Sequence, residues 1–230
     1  MIQMMTVITC TNRNTMMKNI FQNYSTQTMK NKELIIILNK DDMDLEVWRN
    51  EAKKYPFVYV YQMPERMTVS DCKNVAIQKA TFNHIAKFDD DDYYAPSYLQ
   101  SAWMTFKKYP EADIVGKSSV YFYFQEHKLL CLFPSLKENN WTDNVVDSTL
   151  VFKKDIFNHV SFRKQKVGSD KRFQKDCQAI GYKTFSTDRY NHTVIRSRNQ
   201  NHTWKMNEQR FINMCSESMY TDNYQSIVTR

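Results

Sequence analysis

Residues 34–38 read Leu34-Ile35-Ile36-Ile37-Leu38, five aliphatic side chains with no polar residue among them. On a strand these point alternately to opposite faces, so both faces of the sheet need apolar cover. That is the mark of a central strand in a parallel sheet, not of an antiparallel sheet with one wet face. The flanking pattern agrees. Residues 5–9 form a short apolar run, and Met17, Ile20, Phe21 and Tyr24 follow at helical spacing behind Asn14 or Thr15 as a cap. Leu45, Trp48 and Ala52 mark a second helix, residues 57–61 a strand, and Cys72, Val75, Ala76 and Lys79 a helix capped near Ser70 or Asp71. Residues 84–88 are another strand; past Pro96, Leu99, Ala102, Trp103 and Phe106 share one helical stripe. Four strand–helix repeats in about 110 residues predict an α/β domain, a mostly parallel sheet flanked by helices.

From residue 113 the alternation is lost. Residues 113–124 and 128–133 read as paired strands and 148–152 as another. Residues 168–180 read as a helix stopped by Gly181, and 183–187 and 192–195 as strands. With no repeat and no low-complexity linker, the 230 residues predict one continuous domain with two functional halves, 1–112 and 113–230.

Composition removes several function classes. The three glycines, Gly116, Gly168 and Gly181, lie too far apart for a dinucleotide-binding turn or a P-loop. Any phosphate must then be held by a metal, by side chains or by a glycine-free helix start. Five widely spaced cysteines, an odd number without a CxxC pair, point to reduced thiols in a cytoplasmic protein. No apolar run approaches the roughly 20 residues of a membrane span, and no charged-then-apolar leader opens the chain. The net charge of +7 is uneven: residues 1–115 carry 14 basic and 14 acidic residues, residues 116–230 carry 18 and 11. The second half either presents a solvated basic face or meets an anionic partner.

In an open parallel sheet, ligands sit beyond the carboxyl ends of the strands. Polar residues just after the apolar strands are Thr9, Thr11, Asn12 and Arg13; Asn39, Lys40, Asp41 and Asp42; and Asp89-Asp90-Asp91-Asp92. The four aspartates have no basic residue between Lys87 and Lys107 to offset them. In extended backbone Asp89 and Asp91 fall on the same side, a D-x-D spacing that offers hard oxygen donors to Mg2+ or Mn2+. Such ions bind through one or two carboxylates and complete their sphere with substrate phosphates. The other reading of the run is an acidic helix-capping turn.

These segments, Val7-Ile8-Thr9-Cys10-Thr11-Asn12-Arg13, Glu33-Leu34-Ile35-Ile36-Ile37, Lys73-Asn74 and Phe88-Asp89-Asp90-Asp91-Asp92 with Pro96 and Leu99, together resemble family 2 glycosyltransferases of the GT-A (Rossmann-like) fold. Within that family the chain resembles bacterial spore-coat maturation glycosyltransferases. The resemblance implies a metal-dependent, inverting transfer from a nucleotide-diphosphate sugar, of UDP or TDP type, to a hydroxyl acceptor, with Mn2+ or Mg2+ as cofactor. It implies nucleotide contacts from Thr9, Thr11, Arg13, Asn39, Lys73, Asp89 and Asp90, and metal ligation by Asp91 and His202. His202 lies in Asn201-His202-Thr203-Trp204, which resembles a segment that closes over the diphosphate, with Arg196, Arg198 and Lys205 around it.

Two positions depart from the family pattern. Asn39 replaces an aspartate that reads the base imide; its amide oxygen can still accept that N–H, but its NH2 can equally donate to another base. Ser169-Asp170 stands where a Glu-Asp pair is usual, keeping only Asp170. Asp170 opens a helix, so it is either an N-terminal cap or the general base for the acceptor hydroxyl. Trp141 is either a sugar platform or core, residues 121–124 read as core, and His192 is a weaker metal-ligand candidate than His202. The expected partners are the donor and a carbohydrate or glycan acceptor, neutral or anionic, with no nucleic acid. Three rival functions stay open: a nucleotidyltransferase, a polyanion-binding module using the +7 surface, and a non-catalytic sugar-nucleotide binder.

Overall fold

A computed structural model describes residues 4–134, 137–165, 168–197 and 207–230. Strand β1 (Met5–Thr11) pairs in parallel with β2 (Lys32–Leu38), and β2 with β3 (Val58–Gln62). On its other side β1 pairs in parallel with β4 (His84–Lys87). Helices α1 (Met17–Ser25), α2 (Leu45–Ala52) and α3 (Val69–Lys79) connect these strands. The aliphatic run on β2 behaves as its pattern requires. Leu34, Ile36 and Leu38 enter one apolar cluster with Ile20, Phe21, Trp48 and Leu99, while Ile35 and Ile37 enter a second with Cys72, Ala76, Ile77 and Phe173. Fully burying such a side chain contributes about 1.5–3 kcal/mol, and this strand does it on both faces.

After β4, a two-residue strand β5 (Tyr93–Tyr94) and helix α4 (Tyr98–Lys108) lead to β6 (Ile114–Lys117). Residues 113–124 read as one strand in sequence but divide between two sheets. The Ser118 N–H and hydroxyl both bond Ser186 Oγ, at 2.9 and 2.7 Å, so the chain leaves the first sheet at Lys117. It enters the second sheet at β7 (Val120–Phe124), which pairs antiparallel with β8 (Leu129–Phe133). The remaining elements are β9 (Asn140–Thr142), β10 (Val151–Lys153), α5 (Ser169–Ala179), β11 (Thr184–Thr187), β12 (His192–Arg196), α6 (Glu208–Ile212), β13 (Glu217–Tyr220) and α7 (Gln225–Val228).

The large sheet runs β3-β2-β1-β4-β10-β6-β11-β9, and the small one β13-β8-β7-β12-β5. Strand β10 lies antiparallel between β4 and β6, so the parallel half ends at β4 and the mixed half begins there. This is the expected α/β architecture, parallel in the first half and mixed in the second.

Two expected caps differ. No side chain caps α1. Residues Asn14–Met16 form a 3-10 turn, and Asn14 Oδ1 accepts from the indole N–H of buried Trp48 at 3.0 Å, because a buried indole needs an acceptor. Helix α3 is capped by Thr68, two residues before Ser70; Asp71 is the third helical residue and closes a capping box back onto Thr68.

Candidate active site

The loops after β1, β2 and β4 converge on a cleft of about 1280 Å3 whose opposite wall comes from residues 142–148, the start of α5 and the end of β12. Its floor is the aspartate run, whose first three carboxylates meet cations and whose last is buried. Lys87 Nζ reaches Asp89 Oδ1 at 2.7 Å. Arg13 binds Asp90 through Nε and Nη2 and reaches Asp91 Oδ2 at 3.0 Å, and Thr11 Oγ1 donates to Asp90 Oδ2 at 2.5 Å. Asp92 is buried, accepts from the Ile195 N–H at 3.1 Å and lies 3.5 Å from His192 Nε2. Burial first, and then Asp91 and Asp89, push the Asp92 carboxyl well above the usual range. Asn19 and Asn23 hold the loop itself by donating to the carbonyls of Asp90 and Asp92. The repulsion of four like charges is thus relieved by cations from elsewhere in the fold and by burial of the last acid.

The second cluster lies across the cleft. Lys73 Nζ donates to both carboxylate oxygens of Asp170, at 2.7 and 2.8 Å, and to Ser169 Oγ at 3.2 Å. Lys87 Nζ stands 3.8 Å from Asp170 and donates to the carbonyl of Asp147 at 3.0 Å. Burial raises the Asp170 carboxyl, but Lys87 and Lys73 together outweigh it and hold the group below the ordinary carboxylate value. Asp147 is pushed up to about 6, by burial first and then by the charge of Asp170, with Lys87 and Lys73 opposing. Burial also raises the Cys10 thiol, which lines the cleft as a neutral group.

Of the expected site residues, Thr11, Arg13, Asn39, Lys73, Asp89, Asp90, Asp91 and Asp170 all line this cleft. Thr9 does not. It is 2% exposed and lies one pleat deeper than Thr11 on the same face of β1, below the strand end where Cys10 and Thr11 meet the cleft. Arg13, expected against base and ribose, is engaged by Asp90 and Asp91. Lys73, expected on the nucleotide, is 4% exposed and engaged by Asp170. Asn39 Nδ2 donates to the Pro64 carbonyl at 2.9 Å, and among the described residues its amide oxygen takes no hydrogen bond. Asp170 is not a helix cap: Gly168, at φ 78°, occupies that position and no side chain caps α5. His202, with Arg198 and Lys205, lies outside the described residues.

Trp141 packs edge-on against Tyr109 and Phe185, partly buried against the core. Residues 121–124 are buried, as expected. His192 is fully buried beside Ser148 and Tyr94, a packed neutral imidazole; burial and then Lys117 and Lys87 lower its pKa. Sequence reasoning missed Lys87, Asp147 and Gln174. For Lys87 a signal existed, a lone charge in the apolar strand that leads to Asp89. For Asp147 and Gln174 none did, since both depend on α5 packing against a turn 27 to 29 residues earlier.

A divalent ion is testable against these donors. Asp91 and Asp89 are hard oxygen donors on the cleft wall, with side chains 15% and 36% exposed. Among the described residues no group of three His, Cys, Asp or Glu side chains could hold a metal ion. The donor set therefore fits Mg2+ or Mn2+ only as an open site finished by phosphate oxygens and water, and not as a protein cage.

The Glycosyl transferase family 2 model matches residues 6–185. The chain belongs to that family. Its domain of this type spans both clusters of the cleft. Solved structures agree in fold. S. aureus TarS 1–349 in complex with UDP-GlcNAc superposes with a TM-score of 0.69 at 14% identity, over 92% of this chain and 64% of that one. TarS 1–349 alone gives 0.66 at 13% identity, over 84% and 60%. The mannosyltransferase PcManGT from Pyrobaculum calidifontis, in complex with GDP-Man and Mn2+, gives 0.64 at 17% identity, over 86% and 58%. The chain thus spans about three fifths of the length of these structures. No curated protein matches it in sequence.

Proposed function

We propose that this protein is a glycosyltransferase that moves a sugar, with inversion, from a UDP- or TDP-type donor to the hydroxyl of a carbohydrate acceptor. The observation that carries the reading is the aspartate run at the carboxyl end of β4, facing Asp170 across one cleft in a family 2 chain. TarS and PcManGT, structures of this fold, hold UDP-GlcNAc and GDP-Man. The carboxamide oxygen of Asn39 suits an imide N–H, which uracil and thymine present and guanine offers in a different setting.

In the proposed reaction the acceptor oxygen attacks the anomeric carbon as the bond from that carbon to the diphosphate breaks. The diphosphate leaves with the electron pair, and the hydroxyl proton passes to a cleft carboxylate, with Asp170 at the family position for the base. Asp89 and Asp90 would hold the ribose side of the donor, and Thr11 and Arg13 fix Asp90 for that task. Arg196, at the cleft end of β12, adds positive charge toward the leaving diphosphate. A divalent ion on Asp91, with His202 as the second proposed ligand, would neutralise the diphosphate charge.

The five free cysteines support a cytoplasmic setting, and among the described residues no helix is long and apolar enough to cross a membrane. The resemblance to spore-coat maturation enzymes supports a product in the spore coat or another cell-surface polysaccharide. The test is a thermal-shift series with UDP, TDP and GDP, each with and without Mn2+. A ligand that binds only the native state stabilises it by RT ln(1 + [L]/Kd), so shifts rank affinities directly. UDP with Mn2+ should give the largest shift and TDP nearly as much. Equal shifts with every base, or no dependence on Mn2+, would reject the donor assignment.

A further inference from the structure

Asp170 occupies the family position for a base, yet its surroundings suit it poorly to take a proton. Both of its oxygens lie within 2.8 Å of Lys73 Nζ, and a second ammonium, Lys87, stands 3.8 Å away. A general base needs a carboxylate oxygen free to meet the substrate hydroxyl. Asp147, in the same cleft wall, has one. Its Oδ1 accepts from Gln174 Nε2 at 3.2 Å, and among the described residues its Oδ2 takes no hydrogen bond.

The carboxyl group is also well fixed. Gln174 is 2% exposed and is itself tied to the Val145 N–H (2.8 Å) and carbonyl (3.1 Å), while Lys87 anchors the Asp147 main chain. Gln174 and Asp170 are on the same helix, α5, one turn apart. The helix therefore sets the spacing of the two acids.

We propose that Asp147 is a second catalytic carboxylate, and that the proton lost by the acceptor hydroxyl comes to rest on its Oδ2 while Asp170, clamped by Lys73, supplies a fixed negative charge beside it. The proposal rests on the reading of the cleft as a sugar-transfer site. The bond changes are those of the transfer itself: oxygen–carbon forms, carbon–oxygen to the diphosphate breaks, and the proton moves to Asp147. No other reactant is needed.

The charged groups around Asp147 are Asp170 from α5, Lys73 from α3, Lys87 from β4 and Asp89 from the loop after it. Two carboxyls in one cleft are thereby pushed apart. Asp170 stays ionised, whereas Asp147 titrates at about 6, where it can take up a proton and lose it again near neutral pH.

The test measures UDP release from UDP-GlcNAc with Mn2+ between pH 5 and 9, with water as acceptor, for the intact chain and for Asp147→Asn and Asp170→Asn. The UDP thermal shift of each variant reports donor binding independently. In the unaltered protein, turnover should rise with pH through about 6, because the base must be ionised. Asp147→Asn should lower turnover roughly 100-fold or more and remove that limb, with the UDP shift unchanged. Asp170→Asn should keep a limb and move it to lower pH, because Asp147 loses its like-charged neighbour. An Asp147→Asn variant with near-normal turnover and the limb still in place overturns the proposal while leaving the transferase reading intact. A protein that neither binds UDP nor releases it from UDP-GlcNAc overturns both.

Discussion

Lys73→Met isolates the ion pair on which the site is built. Lys73 and Asp170 have side chains 5% and 13% exposed, and the ammonium makes three of the contacts in this cluster, two to Asp170 and one to Ser169. Methionine keeps most of the apolar stem beside Phe162, whose ring now lies 4.9 Å from the ammonium. The change is therefore mainly electrostatic. Removing one partner of a buried pair costs about 3–5 kcal/mol, since the other charge is left without compensation. Lys87 at 3.8 Å still offsets part of the Asp170 charge but is shared with Asp89, so the low end, about 3 kcal/mol, is expected.

For a domain of this size that corresponds to a fall in Tm of roughly 6–12 °C. The pH dependence carries the sign. Asp170 lies below its unfolded value in the folded protein, so its contribution is present above about pH 4 and lost as pH falls further. In the variant, burial without Lys73 raises Asp170, so it takes up a proton on acidification and the penalty shrinks. Urea denaturation at pH 7 and at pH 4 reads the difference directly. Arg172→Met, at the partly exposed Arg172–Asp176 pair on the same helix, is the control and should cost under about 1 kcal/mol. A Lys73→Met penalty no larger than that control, or one independent of pH, would refute the account of the cluster.

Asp147→Asn should act in the opposite direction on stability. Its folded carboxyl is raised to about 6, so ionisation above that pH destabilises the fold, and the amide should gain up to roughly 3 kcal/mol at pH 8 and nothing below about pH 4, measured by urea denaturation. Asp170→Asn should lower transfer at pH 7 by at least roughly 100-fold with donor Kd unchanged, whether Asp170 takes the proton or only supplies charge beside Asp147; steady-state kinetics with calorimetric Kd values check it, and near-normal kcat would remove Asp170 from the mechanism. Asp91→Ala should abolish the Mn2+ dependence of UDP binding and change Tm little; unchanged metal dependence in thermal shift would move the metal elsewhere. Asn39→Asp should alter the order of UDP, TDP and GDP shifts with little effect on the unliganded Tm.

The periodic features of this chain were legible from residue order alone. Leu34 to Leu38 required apolar cover on two faces, and the fold supplies it from α1, α2 and α4 on one side and α3 and α5 on the other. The strand–helix alternation up to β4 and the loss of it afterwards needed only the 2- and 3.6-residue periods, because hydrophobic burial acts on whichever face the backbone repeat presents. The convergence of residues 11–13, 39 and 89–92 on one edge also followed, since parallel strands place their carboxyl ends together.

Which partner each of those polar residues takes did not follow. Thr9 differs from Thr11 only in lying one pleat deeper on the same face of β1, where the core closes over it. Arg13 reaches the aspartates across 77 residues of chain, and Lys73 reaches Asp170 across 97, so neither pairing leaves a local trace. The split at Ser118 depended on Ser186, on a strand far along the chain. Local order sets which face is apolar and where the chain turns; the protonation and pairing of buried charges depend on distances of a few ångströms between segments that only the packed core brings together.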